Sequence, residues 1–150
     1  MDVQEEHIGD VWKELDALVM DYYARDPVAL DGMPPHEFDW PLYIQLNNTT
    51  ATRLFTARDG NKLLGFVVYH VFPHMHHVGL LTASCDMISV ALDARGQGVG
   101  GQLMEHAEHV FRQAGVRFVV HMHRMCYKVP PLFAKHGYRL VEQSYLKELR

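Results

Sequence analysis

The first third of the chain has apolar residues at helical spacing. This pattern predicts a helix over 5–23, and a loop rich in Pro, Gly and Asp at 26–35 follows it. A second helix is expected within 36–48, with Pro41 in its first turn if the helix begins near Asp39. No clear strand precedes the first helix, so the chain is expected to begin with two helices.

The remainder of the chain is dominated by strand-like patterns. Segments 51–58 and 62–72 flank Asp59-Gly60-Asn61, which is typical of a hairpin turn, and a third strand is expected within 80–92. The predicted elements that follow are a helix over 98–114, a strand over 116–123, a short helix around 130–136 and a closing hairpin. The pattern has no internal repeat and predicts one α/β domain over residues 1–150.

Composition narrows the class of protein. A chain of 150 residues can cover one core without metal or disulfide support, and two cysteines, Cys85 and Cys126, favour a reducing compartment. The sequence has no bilayer-length apolar run and no signal-like start, and its net charge is −4. We therefore expect a cytoplasmic protein without nucleic-acid or membrane partners, better suited to a cationic acceptor such as an amine. A homodimer is expected because dimers are the commonest soluble assembly.

A glycine-rich segment, residues 95–101, lies between the third predicted strand and the helix after it. Such a turn presents free backbone N–H groups at a helix start, where the helix dipole adds partial positive charge. Glycine lets a ligand approach the backbone closely, and Arg95 adds a fixed charge at the edge of the turn. The segment predicts a diphosphate-binding site.

Two classes of protein use such a site. Gly96, Gly98 and Gly101 satisfy the dinucleotide fingerprint G-x-G-x-x-G. That class needs the motif in its first strand–helix unit and an acidic residue on the next strand, whereas here the motif lies two-thirds along the chain and segment 116–123 has no acid. A dinucleotide-binding enzyme is therefore disfavoured.

The sequence Arg95-x-x-Gly98-x-Gly100 resembles the acetyl-CoA motif R/Q-x-x-G-x-G/A of the GNAT N-acetyltransferases. Residues 132–138 resemble the segment that ends the last helix of that family, and the compact chain is similar to small bacterial or bacteriophage members. The resemblance covers residues 50–150 well. It implies a mixed, twisted sheet of about six strands with helices on both faces. It also implies transfer of the acetyl group of acetyl-CoA to a primary amine, small-molecule or peptide, by direct attack.

The resemblance also implies which residues hold acetyl-CoA, the co-substrate. By this resemblance, Ile88, Ser89 and Val90 are expected to contact the pantetheine arm through their backbone groups. The glycine-rich turn is expected to bind the pyrophosphate. It consists of Arg95, Gly96, Gln97, Gly98, Val99, Gly100 and Gly101. The chemistry of the family needs no metal.

Asp86 and His121 are the candidate general bases. Asp86 is the only charged residue of its strand, so burial is expected to raise its pKa towards a useful value, although it could instead cap a bulge or pair with an arginine. The resemblance places His121 at the base position of ribosomal-protein-type members. The alternative is that His121 is a partly exposed packing residue.

The chain departs from the family at the general acid. Phe133 occupies the position of the usual tyrosine, and Cys126 that of a frequent asparagine. Tyr127 is our first candidate for a replacement donor, with Cys126 and solvent as alternatives. The departure also leaves open a catalytically silent CoA-binding protein with a regulatory or interaction role.

Two further clusters of residues allow more than one interpretation. The His74-x-His76-His77 and His121-x-His123 patterns could chelate a metal, but no third ligand has a recognised spacing, so no metal site is expected. Residues 74–77 are instead expected to border the acceptor cleft. The acidic and aromatic segment 31–43 is expected to cover a cationic acceptor, or else to be a loop–helix junction with Trp40 in the core.

Overall fold

The computed structural model describes residues 1–24, 36–122, 130–142, 144, 147 and 149. Its strands are β1 (Asp2–Glu6), β2 (Thr52–Asp59), β3 (Lys62–Pro73), β4 (Leu81–Val90) and β5 (Val116–His121). Its α-helices are α1 (Ile8–Ala24), α2 (Trp40–Asn48), α3 (Val99–Gln113) and α4 (Pro130–Lys135), and a 3-10 turn covers Leu92–Ala94. None of the helices in these ranges combines the length and the hydropathy of a membrane span.

The strands form one sheet in the order β1-β2-β3-β4-β5, antiparallel except for the parallel pair β4–β5. The edge strand β1 corrects the expectation that no strand precedes the first helix. Its sequence has no alternation of apolar and polar residues that would predict a strand, because Val3 is its only apolar residue. Ion pairs across the ladder help to hold it, Glu5 with Arg53 on β2 among them at 2.5 Å.

Helices cover both faces of the sheet, which confirms the predicted fold class. On one face α1 and α2 bury Ile8, Leu15, Val19 and Trp40 against Leu54, Phe66, Val68 and Met87. On the other face α3 buries Val99, Leu103, Ala107 and Phe111 against Phe55, Val67, Tyr69 and Cys85. We call these the α1/α2 face and the α3 face.

The local predictions for α2 and the hairpin are also confirmed. The Asp39 carboxylate caps α2 by accepting from the Leu42 N–H at 3.0 Å, and Pro41 lies in the first turn. Gly60, with φ +56°, makes the β2–β3 turn. The sheet has five strands in the described ranges instead of about six, because residues 138–142 are not in a strand. Much of the predicted closing hairpin falls outside the described residues.

Candidate active site

The strands β4 and β5 separate part of the way along their length. They pair in parallel from Leu81 with Val116 to Cys85 with His121, where β5 ends. Beyond this point β4 continues to Val90 while its other edge stays paired with β3. The β4 edge over residues 86–90 therefore has no strand partner in the described part of the chain. We call this opening the fork.

Backbone groups of β4 point into the fork. The Ala91 N–H donates to the Leu64 carbonyl at 2.8 Å, so the backbone groups of Ala91 face β3. Because backbone N–H and C=O groups alternate between the two edges of a strand, those of Ser89 also face β3, and those of Ile88 and Val90 face the fork. An extended amide chain could pair with these groups as a strand would. Of the three predicted pantetheine contacts, two thus face the fork with their backbone. The Ser89 hydroxyl is buried and has no hydrogen-bond partner among the described atoms.

The glycine-rich turn lies just beyond the end of β4. Gly96 and Gly98 have φ of +77° and +81°, a left-handed conformation that favours glycine. The Gln102 N–H donates to the Gly98 carbonyl at 3.1 Å in the first turn of α3. The N–H groups of Val99, Gly100 and Gly101 precede this bond, so the helix supplies no carbonyl for them. The start of α3 therefore has three backbone N–H groups without an acceptor inside the helix.

The last two glycines of the segment have a packing role. A Cβ at Gly101 would lie 2.9 Å from Nε2 of His136, the residue after α4, and a Cβ at Gly100 would contact Leu132 of α4 at 3.9 Å. By contrast, a Cβ at Gly96 would have nothing within 4 Å. The open side of the turn is therefore around Gly96 and Gly98, whereas Gly100 and Gly101 allow α4 to approach α3.

Arg95 links the turn to β4 and α1. Its Nε donates to the Val90 carbonyl at 3.1 Å, and its guanidinium lies 5.9 Å from the ring centre of Tyr22. The side chain of Gln97 donates to the Asp93 carbonyl at 2.7 Å. These contacts fix the turn relative to the fork.

Asp86 is the extra residue of a β-bulge at the base of the fork, because Val68 pairs with Met87 and Tyr69 pairs with Cys85. The bulge turns the Asp86 side chain to the α1/α2 face, where Tyr43 donates to its Oδ2 at 2.5 Å. Burial acts to raise the pKa of Asp86, but the interactions with His70 and Tyr43 lower it to below its ordinary value. The expected rise in pKa is therefore wrong. An ionised carboxylate suits an ammonium group.

Sequence reasoning did not single out two residues of this cluster: His70 on β3 was missed, and Tyr43 on α2 entered only as the last residue of segment 31–43, which was expected to cover the acceptor. Nε2 of His70 lies 3.6 Å from Asp86 Oδ1, and its Nδ1 is 2.8 Å from the hydroxyl of the buried Thr52. The Tyr43 ring stacks on the His70 ring with centres 6.0 Å apart. A histidine inside an apolar strand was the available signal, but its partners depend on strand register, which the sequence did not reveal.

His121 lies on the opposite, α3 face, at the last pair of β4 and β5. Its Nε2 is 2.9 Å from the Tyr69 hydroxyl, and burial lowers its pKa to about 4. Its buried Nδ1 has no partner among the described atoms. If Tyr69 donates to Nε2, the Nδ1–H alone lacks a partner, whereas the other tautomer leaves both the tyrosine proton and the Nδ1 lone pair without one. The geometry favours a neutral imidazole that offers an N–H.

The other predicted residues are placed as follows. Phe133 packs its ring 5.2 Å from the ring of His121. Tyr127, Cys126 and His123 lie outside the described residues, as do positions 31–35 of the acidic and aromatic segment. Trp40 is buried in the core and donates to Asp16 at 2.8 Å, which supports the loop–helix junction for that part of the segment.

The histidine-rich loop after β3 packs its rings on each other, with His74 and His77 centres 4.6 Å apart, and on Phe118. Within the described ranges, no three potential ligands are placed to hold a metal ion.

Comparison with known proteins identifies the family of the chain. The chain matches the acetyltransferase (GNAT) family model over residues 12–138. The chain therefore belongs to the GNAT family, and it is an acyltransferase. No curated protein sequence matches it significantly.

Solved structures share the fold at low identity. One is a ribosomal-protein-alanine N-acetyltransferase from Brucella melitensis biovar Abortus 2308, with 22% identity and a TM-score of 0.73 over 99% of this chain and 100% of that one. Another is an aminoglycoside acetyltransferase from an uncultured soil metagenomic sample in complex with sisomicin, with 16% identity and a TM-score of 0.73 over 99% and 94%. A third is an integron cassette protein from the mobile metagenome of Cole Harbour Salt Marsh, with 22% identity and a TM-score of 0.76 over 98% and 89%.

Proposed function

We propose that this protein transfers the acetyl group of acetyl-CoA to a primary amine by direct attack. The observation that carries the proposal is that the fork opens beside the glycine-rich turn, at the end of the same strand, β4. A ligand with a diphosphate at the turn could thus extend an amide-containing arm along residues 86–90. Family membership supports acetyl-CoA as that ligand.

The pyrophosphate would be held by the turn over Arg95–Gly101. Its backbone donors and the dipole of α3 stabilise negative charge, and the exposed Arg95 adds a full positive charge. Gly96 and Gly98 leave the space that a phosphate needs. The pantetheine amides would pair with the backbone of Ile88 and Val90, with Ser89 beside them.

Asp86 and His121 would act on opposite faces of the sheet. The Asp86 carboxylate, on the α1/α2 face, would bind the acceptor ammonium. His121 would donate a hydrogen bond from Nδ1–H to the thioester oxygen or to the departing thiolate sulfur, which stabilises the negative charge that forms there. A neutral imidazole with a pKa of about 4 is a weak base, so this assignment fits His121 better than a role as general base. Tyr127 is the alternative donor.

The acceptor would be a small-molecule or peptide amine. Structural relatives include enzymes named for a protein alanine and for an aminoglycoside, so both classes belong in the test. The experiment is calorimetric titration with acetyl-CoA, followed by a thiol-release assay with tyramine, sisomicin and an alanine-starting hexapeptide. We expect saturable binding and amine-dependent release of CoA.

Two results would redirect this proposal. Binding without release from any amine would favour the silent CoA-binding protein that Phe133, in place of a tyrosine, suggests. Absence of acetyl-CoA binding would refute the assignment of the turn and the fork together.

A further inference from the structure

The described helices of the α1/α2 face stop covering the sheet at Asp86. Side chains that pair across neighbouring strands form rows on this face, and the row of Leu54, Val68 and Met87 is buried under α1 and α2. Next to that row lie Asp86 and His70, whose side chains are 29% and 35% exposed. Asp86 therefore lies at the border between the covered and the open part of the face.

Beyond this border the strand register places two further rows of side chains. The first contains Ser84 of β4 and Val120 of β5, and the second contains Phe72 of β3, Thr82 of β4 and Phe118 of β5. Their neighbours in sequence pack on the α3 face, so alternation along each strand puts these five side chains on the α1/α2 face. We call these five residues the open rows.

The open rows present apolar surface to the outside. Phe72, Phe118 and Val120 are 43%, 39% and 38% exposed. The rings of His74 and His77 border Phe118, with centres 5.5 Å and 6.1 Å from its ring centre. Neighbouring apolar side chains that stay exposed on one face form a surface that a ligand can cover.

The open rows carry no charge of their own. Ser84 and Thr82 are polar but neutral, and the buried hydroxyl of Thr82 has no hydrogen-bond partner among the described atoms. Asp86 lies at one end of the rows. Burial acts to raise its pKa, but the contacts with His70 and Tyr43 lower the pKa below its ordinary value, so the carboxylate is ionised. A ligand thus meets one negative charge and then an uncharged, largely apolar surface.

We propose that the acceptor is a primary amine with an apolar body, whose ammonium group binds Asp86 and whose body lies on the open rows. This inference rests on the proposed acetyl transfer, because it names the substrate class of that site. An amine at Asp86 cannot extend over Met87, because α1 and α2 pack on that row. It can extend over Ser84 and Val120, where its carbon atoms meet apolar surface.

The spacing of residues along β4 sets the length of the body. Ser84 and Thr82 lie on the same face as Asp86, about 7 Å and about 13 Å away along the strand. The carbon chain of ethylamine would end close to Asp86. Hexylamine would cover Val120 as well, and a longer body would reach Phe118.

The test uses amines that differ only in their bodies: ethylamine, hexylamine and hexamethylenediamine, which adds a second ammonium to the far end of the hexyl chain. A methylene gains about fourfold in affinity when fully buried and about twofold when covered on one side, so kcat/KM for hexylamine should exceed that for ethylamine about 10- to 20-fold. The value for hexamethylenediamine should fall at least about 10-fold below that for hexylamine, because its second charge would lie over uncharged side chains.

Val120 supplies the variants. Val120→Asp adds a carboxylate to the open rows, so it should raise kcat/KM for hexamethylenediamine to that of hexylamine or above, while ethylamine stays within about threefold of the wild type. Val120→Thr keeps the side-chain shape and suits a strand, and it should reduce the preference for hexylamine over ethylamine about two- to threefold. Val78→Thr, the same substitution at a fully exposed position, should match the wild type. Acetyl-CoA affinity should stay at the wild-type value in all three variants.

The two proposals fail in distinguishable ways. If the wild type neither binds acetyl-CoA nor acetylates any amine, the proposed function is wrong. If the wild type acetylates ethylamine and hexylamine equally well, or prefers hexamethylenediamine, sisomicin or the hexapeptide to hexylamine, acetyl transfer stands and the apolar body on the open rows is refuted. A preference for hexylamine that Val120→Thr leaves unchanged would refute the same assignment.

Discussion

Replacing Gly98 by aspartate tests the glycine-rich turn directly. Gly98 has φ +81°, and a Cβ there would meet only the Gln102 side chain at 3.9 Å. The cost to folding is therefore the left-handed backbone alone, about 1–2 kcal/mol. Folded domains are stable by about 5–15 kcal/mol, so Gly98→Asp should remain folded.

The effect on binding should be larger than the effect on folding. A carboxylate about 4 Å from a phosphate is repelled by about 1 kcal/mol in bulk water and by about 4 kcal/mol at an effective dielectric constant near 20. Since each 1.4 kcal/mol changes affinity about tenfold, Kd for acetyl-CoA should rise by about 5- to 1,000-fold. Isothermal titration calorimetry measures this change, and urea denaturation measures the change in stability.

The chain offers a matched control at the other end of the same helix. Gly115, just after α3, has φ +79° and nothing within 4 Å of a Cβ. Gly115→Asp should lose similar stability and keep wild-type affinity, and Gly98→Ala should separate backbone strain from charge. Unchanged affinity in Gly98→Asp, or an equal loss in Gly115→Asp, would refute the assignment of the diphosphate to this turn.

Three further predictions concern single residues of the site. Asp86→Asn should reduce kcat/KM for amine acetylation more than about 100-fold, and a loss of only a few-fold in steady-state assays would contradict its contact with the ammonium. Phe133→Tyr should raise kcat if proton donation to sulfur limits turnover, and an unchanged kcat would show that it does not. Burial lowers the pKa of His121 to about 4 from an ordinary ~6.5. Between pH ~6.5 and about 4, the imidazole is therefore protonated in the unfolded chain and stays neutral in the folded chain. Lowering the pH from 7 to 4 should thus cost the wild type about 3 kcal/mol of unfolding free energy relative to His121→Gln, as denaturation curves will show.

The elements that the sequence predicted are those with strong local signals. Helix α3 and the β2–β3 hairpin follow from hydrophobic spacing and a glycine turn, and the glycine-rich turn over 95–101 follows from residues contiguous in sequence. Strand β1 was missed because its stabilising contacts include ion pairs, such as Glu6 with Arg58 at 2.8 Å, which leave no apolar pattern.

The cluster around Asp86 could not be predicted in the same way. Its contacts join Asp86 to His70 and Tyr43, which are 16 and 43 residues away in sequence. Those contacts depend on the bulge at Asp86, because a shift of one residue would turn this side chain to the other face of the sheet. The sign of the pKa shift at Asp86 depends on the same two partners, so burial alone gave the wrong direction.

The alternation of side chains along two neighbouring strands separates the two halves of the proposed reaction. On β3, Tyr69 contacts His121 on the α3 face while the next residue, His70, contacts Asp86 on the α1/α2 face. Asp86 and His121 thus lie on opposite sides of the sheet, and the fork is the opening between them. An amine that enters beside Asp86 would attack from one face while sulfur departs towards His121 on the other.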